Sequence, residues 1–169
     1  NMELDPQTHL MQLADVGLMG LYIMDCRNLM EMARILGKED AIPELETRKA
    51  RVEEALMALW DEEFGMFLNR NLSDGTLSRR ISPTNFYALQ SDRVTETQKR
   101  RMMEHFYNPE EFYGEYILPS IARNDPVFPE HGYWRGRIWA PTNYLAYAAM
   151  KYAGLKKECG DLARKSEEL

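Results

Sequence analysis

The chain has 169 residues, of which 44% are hydrophobic and 28% are charged, proportions that are ordinary for one globular unit. Its formal net charge is −6, and its lysines and arginines form no basic stripe, which argues against a nucleic-acid partner. The sequence has no apolar run of membrane-spanning length and no signal-peptide pattern, so we expect no membrane partner, and localisation stays undetermined.

The first predicted element is a long helix from Asp5–Pro6 to Gly37. Aspartate is a common N-terminal cap, proline suits the first turn, and glycine suits a C-terminal cap. Between these ends, apolar residues recur three and four positions apart over about thirty residues, which indicates a helix with neighbours on more than one face. Gly17 and Gly20 either allow another helix to approach closely or weaken the turn.

A second helix is predicted from Pro43 to Trp60. Its apolar positions are expected to face inward: Leu45, Val52, Ala55, Leu56 and Leu59. Its charged positions are expected to face mostly outward: Glu44, Glu46, Arg48, Lys49, Arg51, Glu53 and Glu54. Since the acidic residues here and at Asp61–Glu63 are adjacent and point in different directions, we interpret them as solvated charges rather than as a metal or acid–base site.

Short β structure and a short helix are predicted next. Asp61–Gly65 is expected to form a turn, and Met66–Leu72 one strand of a hairpin that closes across Asp74–Gly75. A short apolar helix then begins in the sequence Ile81-Ser-Pro-Thr and runs through Leu89.

The second half of the chain alternates helices and loops. Thr95 and Gln98 have capping-box spacing, which predicts a polar helix that ends near Asn108–Pro109. The segment 108–129 contains four prolines and is predicted to be a long loop, the kind of segment in which functional sites tend to lie. Two more helices are expected, one from Pro141 to an interruption at Gly154 and one over 156–169.

This succession of helices, with only hairpin-sized β content, predicts an all-α or mostly α architecture. The two cysteines, Cys26 and Cys159, lie in helical patterns without the spaced Cys or His neighbours that a zinc site needs. We therefore expect two buried or half-buried thiols and no metal site.

The segment His131–Tyr144 gathers two tryptophans, two arginines and two tyrosines around Gly136. Flat aromatic rings beside multi-donor guanidinium and amide groups suit a sugar, which has apolar C–H faces and a rim of hydroxyls. Gly136 allows a turn or a close backbone approach. The alternative interpretation is an aromatic plug of the core, with both arginines stacked on it for structural reasons.

This segment contains the run Tyr133-Trp-Arg-Gly-Arg-Ile-Trp-Ala-Pro-Thr-Asn-Tyr-Leu145. Four other blocks precede it: Leu10-Met-Gln-Leu-Ala-Asp-Val-Gly-Leu-Met19, Leu59-Trp-Asp-Glu-Glu-Phe-Gly-Met-Phe67, Ile81-Ser-Pro-Thr-Asn-Phe-Tyr-Ala-Leu89 and the segment 108–125. In this order the five blocks resemble glycoside hydrolase family 63 and its bacterial mannosylglycerate-hydrolase-like relatives. A more distant likeness to trehalases is also visible.

The resemblance implies a partial (α/α)6 toroid of paired helices with its site in the loops at one end. It also implies an inverting glycosidase that acts on α-glucosidic or α-mannosidic bonds without a metal or organic cofactor. Inverting hydrolysis needs two carboxyl groups about 6.5–9.5 Å apart. In the family, the Asp that acts as general acid lies upstream of the helix that contains Leu10-Met-Gln-Leu13, and the Glu that acts as general base lies downstream of the last helix seen here.

We find neither catalytic motif in the sequence. We therefore expect residues 1–169 to be a single unit and an internal part of a larger catalytic domain, with no activity by itself. Because its helices would lack neighbours, we also expect exposed apolar faces and self-association.

The expected substrate is an oligosaccharide or a small glycoside. The expected contacts lie in the aromatic segment: Trp134, Arg135 and Trp139 first, then Arg137, Asn143 and Tyr133 as contacts or as supports of the loop. Two carboxylates upstream are further candidates for contacts to sugar hydroxyls: Glu115 and Asp125. Two alternatives stay open, a non-catalytic carbohydrate-binding relative and a self-contained helical interaction module.

Overall fold

The computed structural model describes residues 4–167, which contain five α-helices. These are α1 (Val16–Ile35), α2 (Ile42–Met57), α3 (Glu96–Tyr107), α4 (Ala140–Tyr152) and α5 (Lys156–Glu167). Three 3₁₀ helices lie between them, at Glu39–Ala41, Pro83–Gln90 and Phe128–Glu130. None of the helices within 4–167 combines the length and the apolar character needed to cross a membrane.

Helix α1 begins at Val16, so the predicted start at Asp5–Pro6 is wrong. The Asp5 carboxylate does accept the backbone N–H of Gln7 (2.7 Å), but the chain then turns at His9, whose φ of 56° is left-handed. The true cap is Asp15, which accepts the N–H of Leu18 at 2.8 Å. The predicted end is confirmed, because Gly37 follows the helix with a φ of 64°.

The close approach predicted at Gly17 and Gly20 is confirmed, but its partner is the buried 3₁₀ helix Pro83–Gln90. A Cβ on Gly20 would lie 2.6 Å from the carbonyl carbon of Tyr87, which is backbone and cannot move aside. A Cβ on Gly17 would lie 2.8 Å from the Cβ of Thr84. Both positions of α1 therefore require glycine for contact with the 3₁₀ helix.

Helix α2 packs along α1, and two of its predicted orientations are wrong. Ala55 is exposed, whereas Glu53 is buried. The Glu53 carboxylate accepts the hydroxyl of Ser91 (2.9 Å) and lies 3.2 Å from the ammonium of Lys49. A charge can be buried when it is paired and hydrogen-bonded, which is how Glu53 differs from the solvated glutamates around it.

The four strands are two residues long and form two separate antiparallel pairs. Strand β2 (Trp60–Asp61) pairs with β3 (Met66–Phe67), and β1 (Leu13–Ala14) pairs with β4 (Arg70–Asn71). The predicted strand Met66–Leu72 is thus split between two partners. The predicted turn at Asp74–Gly75 is confirmed by the backbone hydrogen bond from Asn71 to the carbonyl of Thr76 (2.8 Å).

The other predicted elements are confirmed. Thr95 and Gln98 form a capping box at the start of α3, and Gly154, with a φ of 79°, separates α4 from α5. The last two residues of the predicted final helix lie outside the described range. Both cysteines are buried, and burial raises the pKa of each thiol.

An imidazole–carboxylate pair joins α3 to the loop that follows it. His105 Nδ1 lies 2.7 Å from the buried carboxylate of Glu111, and Nε2 lies 2.8 Å from the carbonyl oxygen of Phe64. Burial lowers the pKa of His105, but the hydrogen bonds to Glu111 and Phe64 outweigh it, so the pKa is raised. Because both nitrogens face acceptors, the doubly protonated cation fits this site.

The raised pKa predicts a pH-dependent stability. The stabilising contribution of His105 should be complete below its ordinary pKa and should be lost as the pH rises through the raised value. We expect His105→Leu to cost about 3–5 kcal/mol near pH 6, as for other broken buried pairs, and less near pH 9. Chemical unfolding across this range checks this, with His131→Leu at an exposed site as the control. A cost that does not change with pH would contradict the prediction.

Candidate functional site

The segment between the last 3₁₀ helix and α4 folds back on itself through side-chain-to-backbone hydrogen bonds. The indole Nε1 of Trp139 donates to the carbonyl of Tyr133 (2.6 Å), and Nε of Arg137 donates to the carbonyl of His131 (2.9 Å). Trp139 also occupies the N-cap position of α4, so the C-terminal end of the loop is attached directly to the helix. The helix therefore fixes the position of that end.

Three rings of this loop form a cluster, here called the aromatic platform: Tyr133, Trp134 and Trp139. Their centroids lie 4.3 Å (Tyr133–Trp139), 5.0 Å (Tyr133–Trp134) and 5.2 Å (Trp134–Trp139) apart. Tyr133 is 60% exposed and Trp134 is 56% exposed, whereas Trp139 is half-buried. Within residues 4–167 the platform therefore lies on the surface, and the alternative of an aromatic plug concerns the core of the longer domain.

Gly136 makes the turn in this loop, in the way that the sequence suggested. Its φ is 112°, in the region that favours glycine, and a Cβ there would lie 2.8 Å from the carbonyl oxygen of Phe128. The backbone therefore passes Phe128 too closely for any side chain at this position.

The two arginines beside Gly136 are exposed and bind oxygen atoms of the loop region. Arg135 forms an ion pair with Glu130, and Arg137 holds the carbonyl of His131. In this structure both side chains support the conformation of the loop. Both arginines are close in sequence to the rings of the aromatic platform. Their N–H groups are the kind of donor that the hydroxyls of a bound sugar would need.

Asn143, in the first turn of α4, faces the interior and is 5% exposed. Its amide donates to the carbonyl of Ile117 (3.2 Å), and its Oδ1 is buried without a hydrogen-bond partner in the described part of the chain. It lines a cavity of about 510 Å³ between α4 and α5, together with Ile138, Ala140, Tyr144, Tyr147, Leu162, Ala163 and Ser166. The buried position of Asn143 favours a role in supporting the loop over direct contact with a sugar bound at the surface.

The two carboxylates proposed for sugar hydroxyls differ in their surroundings. Asp125 is buried and accepts two hydrogen bonds from the guanidinium of Arg80 (2.8 and 2.9 Å), and these hold the pKa of Asp125 below its ordinary value. Asp125 thus fixes the loop, since both of its oxygens are engaged. Glu115 is exposed, and its backbone carbonyl lies 3.3 Å from the ammonium of Lys165.

Helix starts from distant parts of the chain gather near the aromatic loop. Gly17 of α1 lies against Thr84 at the start of the 3₁₀ helix, and the hydroxyl of Tyr87 donates to the carbonyl of Thr142 in α4 (3.0 Å). Helix N-termini present partial positive charge. This end of the molecule therefore combines polar helix starts with exposed aromatic rings.

Ser120 is a member of the site that the sequence analysis missed. It is buried, and its hydroxyl accepts the N–H of Gly136 at 3.1 Å. A single serine in a loop has no periodicity that could identify it.

In residues 4–167, no group of three or more His, Cys, Asp or Glu side chains is arranged to hold a metal ion.

Comparison with known families gives one match that covers almost the whole chain. Residues 3–169 match the mannosylglycerate hydrolase MGH1-like glycoside hydrolase domain. The mannosylglycerate hydrolase of Rubrobacter radiotolerans is 27% identical over 139 residues, which are 80% of this chain and 31% of the relative. That of Thermus thermophilus is 31% identical over 137 residues, 79% of this chain and 32% of the relative. The chain thus spans about a third of the length of these relatives.

Solved structures show the same fold. The family 63 mannosylglycerate hydrolase from another strain of Thermus thermophilus, in complex with glucose, superposes with a TM-score of 0.81 at 24% identity, over 92% of this chain and 39% of that one. Neutral trehalase from Saccharomyces cerevisiae superposes with a TM-score of 0.69 at 19% identity, over 91% and 30% of the two chains. The predicted fold, a mostly α-helical partial (α/α)6 toroid with a short β-hairpin, is confirmed.

Proposed function

The chain belongs to the mannosylglycerate hydrolase MGH1-like glycoside hydrolase family, and we propose that it is the central part of an inverting glycosidase acting on α-glucosidic or α-mannosidic bonds. The observation that carries the proposal is the aromatic platform, whose rings Tyr133 and Trp134 are exposed beside polar helix starts. Such rings can stack on the apolar face of a sugar, and neighbouring donors can bind its hydroxyls. The mannosylglycerate hydrolases among the relatives and the glucose in one of the solved structures support a small glycoside as substrate.

We also propose that the two catalytic carboxylates lie in parts of a longer protein. Three buried carboxylates of the chain are engaged in structural pairs: Glu53 with Lys49, Glu111 with His105, and Asp125 with Arg80. A cation paired with a carboxylate holds it ionised and engages its oxygens, which opposes both the protonated state that a general acid needs and the proton uptake that a general base performs. The relatives, about three times as long as the matched segment, have room for the missing groups.

Hence we predict that the 169-residue chain releases no sugar from aryl α-glucosides or aryl α-mannosides. Loss of a general acid or base typically reduces the rate by about 10²–10⁴-fold, and here both would be absent. Assays of the purified chain against a mock preparation check this. Turnover above that control would place the catalytic carboxylates within the chain.

An exposed apolar face on α1 supports the proposal that further helices of the same domain normally cover it. The face is made of large exposed side chains three, four or seven residues apart along α1 and at its C-cap: Leu18, Tyr22, Leu29, Met32 and Leu36. A helix of a globular protein usually packs such a stripe against a neighbour. A helical interaction module that is complete in itself would leave this face unexplained.

We therefore predict that the isolated chain self-associates. Light scattering should give a mass above that of the monomer, and a hydrophobic dye should bind. The double variant Leu29→Glu/Met32→Glu should shift the mass toward the monomer with little change in melting temperature, because both side chains are exposed. A monodisperse wild-type monomer that binds no dye would contradict the prediction.

The experiment that tests the function is Trp134→Ala in a longer form of the protein that hydrolyses a glycoside. Loss of the stacking surface should cost about 1–3 kcal/mol of transition-state binding, seen in kcat/KM, with little change in melting temperature, because a ring that faces the substrate adds little to packing.

The matched control is Trp60→Ala, since Trp60 is half-buried against Phe67 (5.0 Å between ring centroids) in the β2–β3 hairpin. It should lower the melting temperature and leave kcat/KM of the folded enzyme unchanged. Normal kinetics for Trp134→Ala would remove this residue from the substrate site. A longer protein that binds sugar but lacks the two carboxylates would identify the alternative, a non-catalytic carbohydrate-binding relative.

A further inference from the structure

We infer that Ser120 is the positioning residue of the aromatic platform. It lies in the loop between α3 and α4. Its hydrogen bonds fix the backbone turn at Gly136, so that the rings on either side of the turn keep their arrangement. The importance of this role for a sugar substrate rests on the proposed function, whereas the positioning itself does not.

Ser120 forms hydrogen bonds with two consecutive residues of the aromatic loop. Its hydroxyl accepts the N–H of Gly136 (3.1 Å), and its own N–H donates to the carbonyl of Arg137 (2.8 Å). Next to it, Pro119 and Ile138 form an antiparallel bridge. At 8% exposure the serine is largely shielded from water, so its hydrogen bond to Gly136 has little competition from solvent.

The turn at Gly136 controls how the rings meet. Trp134 precedes it and Trp139 follows it, and the indole N–H of Trp139 binds the carbonyl of Tyr133 across the loop (2.6 Å). A rotation of the backbone at Gly136 would therefore change the distances between Trp139 and the other two rings. With a φ of 112°, Gly136 has conformational freedom that a contact from outside must restrict.

The segment that carries Ser120 is itself firmly held. Asn143 of α4 donates to the carbonyl of Ile117 (3.2 Å), and the guanidinium of Arg123 donates to the carbonyls of Tyr113 (3.0 Å) and Tyr116. The Asn143 bond ties the loop to the start of α4, which also carries the aromatic segment, and the Arg123 bonds hold the loop to itself.

Leu118 shows that the loop is constrained. Its φ of 54° is left-handed, which is unfavourable for a residue with a branched side chain. Its side chain is nevertheless fully buried, and its N–H donates to the carbonyl of Phe112 (3.1 Å). Strained residues of this kind persist only when the surrounding contacts enforce them, and they cluster at functional sites. The loop is thus a rigid base for Ser120.

The test uses the whole chain and needs no sugar, so its failure and the failure of the proposed function can be told apart. Ser120→Ala removes the acceptor of the Gly136 amide. Hydrogen exchange at Gly136 should accelerate roughly two- to tenfold, as expected for loss of one hydrogen bond. In the same variant, the NMR signals of the indole N–H groups of Trp134 and Trp139 should shift, whereas that of Trp60, in the β2–β3 hairpin, should not.

Two further variants separate positioning from general destabilisation. Ser120→Thr retains the hydroxyl and should restore both readouts. Ser91→Ala, a buried serine bound to Glu53 elsewhere in the fold, should lower stability without moving the Trp134 and Trp139 signals. If Ser120→Ala does not fold, Ser120→Cys keeps the size of the side chain and weakens the acceptor, and it should give the same local changes.

The inference is overturned if Gly136 exchange and the two indole signals stay unchanged in the folded variant. It is also overturned if the signal of Trp60 moves as much as those of Trp134 and Trp139, because the effect would then be global.

Discussion

The structure depends on the close contact between α1 and the buried 3₁₀ helix Pro83–Gln90. Only glycine fits at position 20, where a Cβ would lie 2.6 Å from the carbonyl carbon of Tyr87. On its other side, the same 3₁₀ helix is joined to α4 by the hydrogen bond from the Tyr87 hydroxyl to the carbonyl of Thr142 (3.0 Å). This one short element therefore sets the positions of two long helices, and with them the place where the loop before α4 emerges.

Buried charges in this fold are used to connect segments. Arg80 binds Asp125 through two hydrogen bonds, and His105 binds Glu111, so both ends of the long loop after α3 are tied down by ion pairs. Burial of a charge without a partner would cost several kcal/mol, which explains why each of these carboxylates has a cation beside it. The same pairing opposes a role for them as acid–base groups, in line with our proposal that the catalytic carboxylates lie elsewhere in a longer protein.

Local signals in the sequence predicted the helices well, and non-local contacts explain the errors. The capping box at Thr95 and the glycine at position 37 depend only on neighbouring residues, and both were identified correctly. The start of α1 was misplaced because the pairing of Leu13–Ala14 with the distant Arg70–Asn71 keeps the chain extended up to Asp15, and no local signal reports that contact. The burial of Glu53 depends in the same way on Ser91, a residue far along the chain.

In the candidate site, too, local sequence signals were identified and non-local contacts were not. The aromatic loop was recognised because its residue types are unusual and adjacent, and the structure places two of its three rings at the surface. Ser120 could not be recognised, since its role exists only through contact with Gly136 and Arg137, and nothing in the residues around it marks it. The residues that we propose to bind a sugar are concentrated in one motif, whereas Ser120, which we propose to position them, lies outside it.

We propose that the aromatic platform binds a sugar, and the three tryptophans of the chain allow binding to be measured directly. Their indole N–H signals can be followed by NMR while glucose, mannose or mannosylglycerate is added. Saturable shifts are expected for Trp134 and Trp139, which lie in the platform, and none for Trp60, which donates to the carboxylate of Glu62 (2.6 Å) in the β2–β3 hairpin. Shifts of equal size at all three indoles, or no shift at Trp134 and Trp139 at saturating sugar, would contradict the proposal.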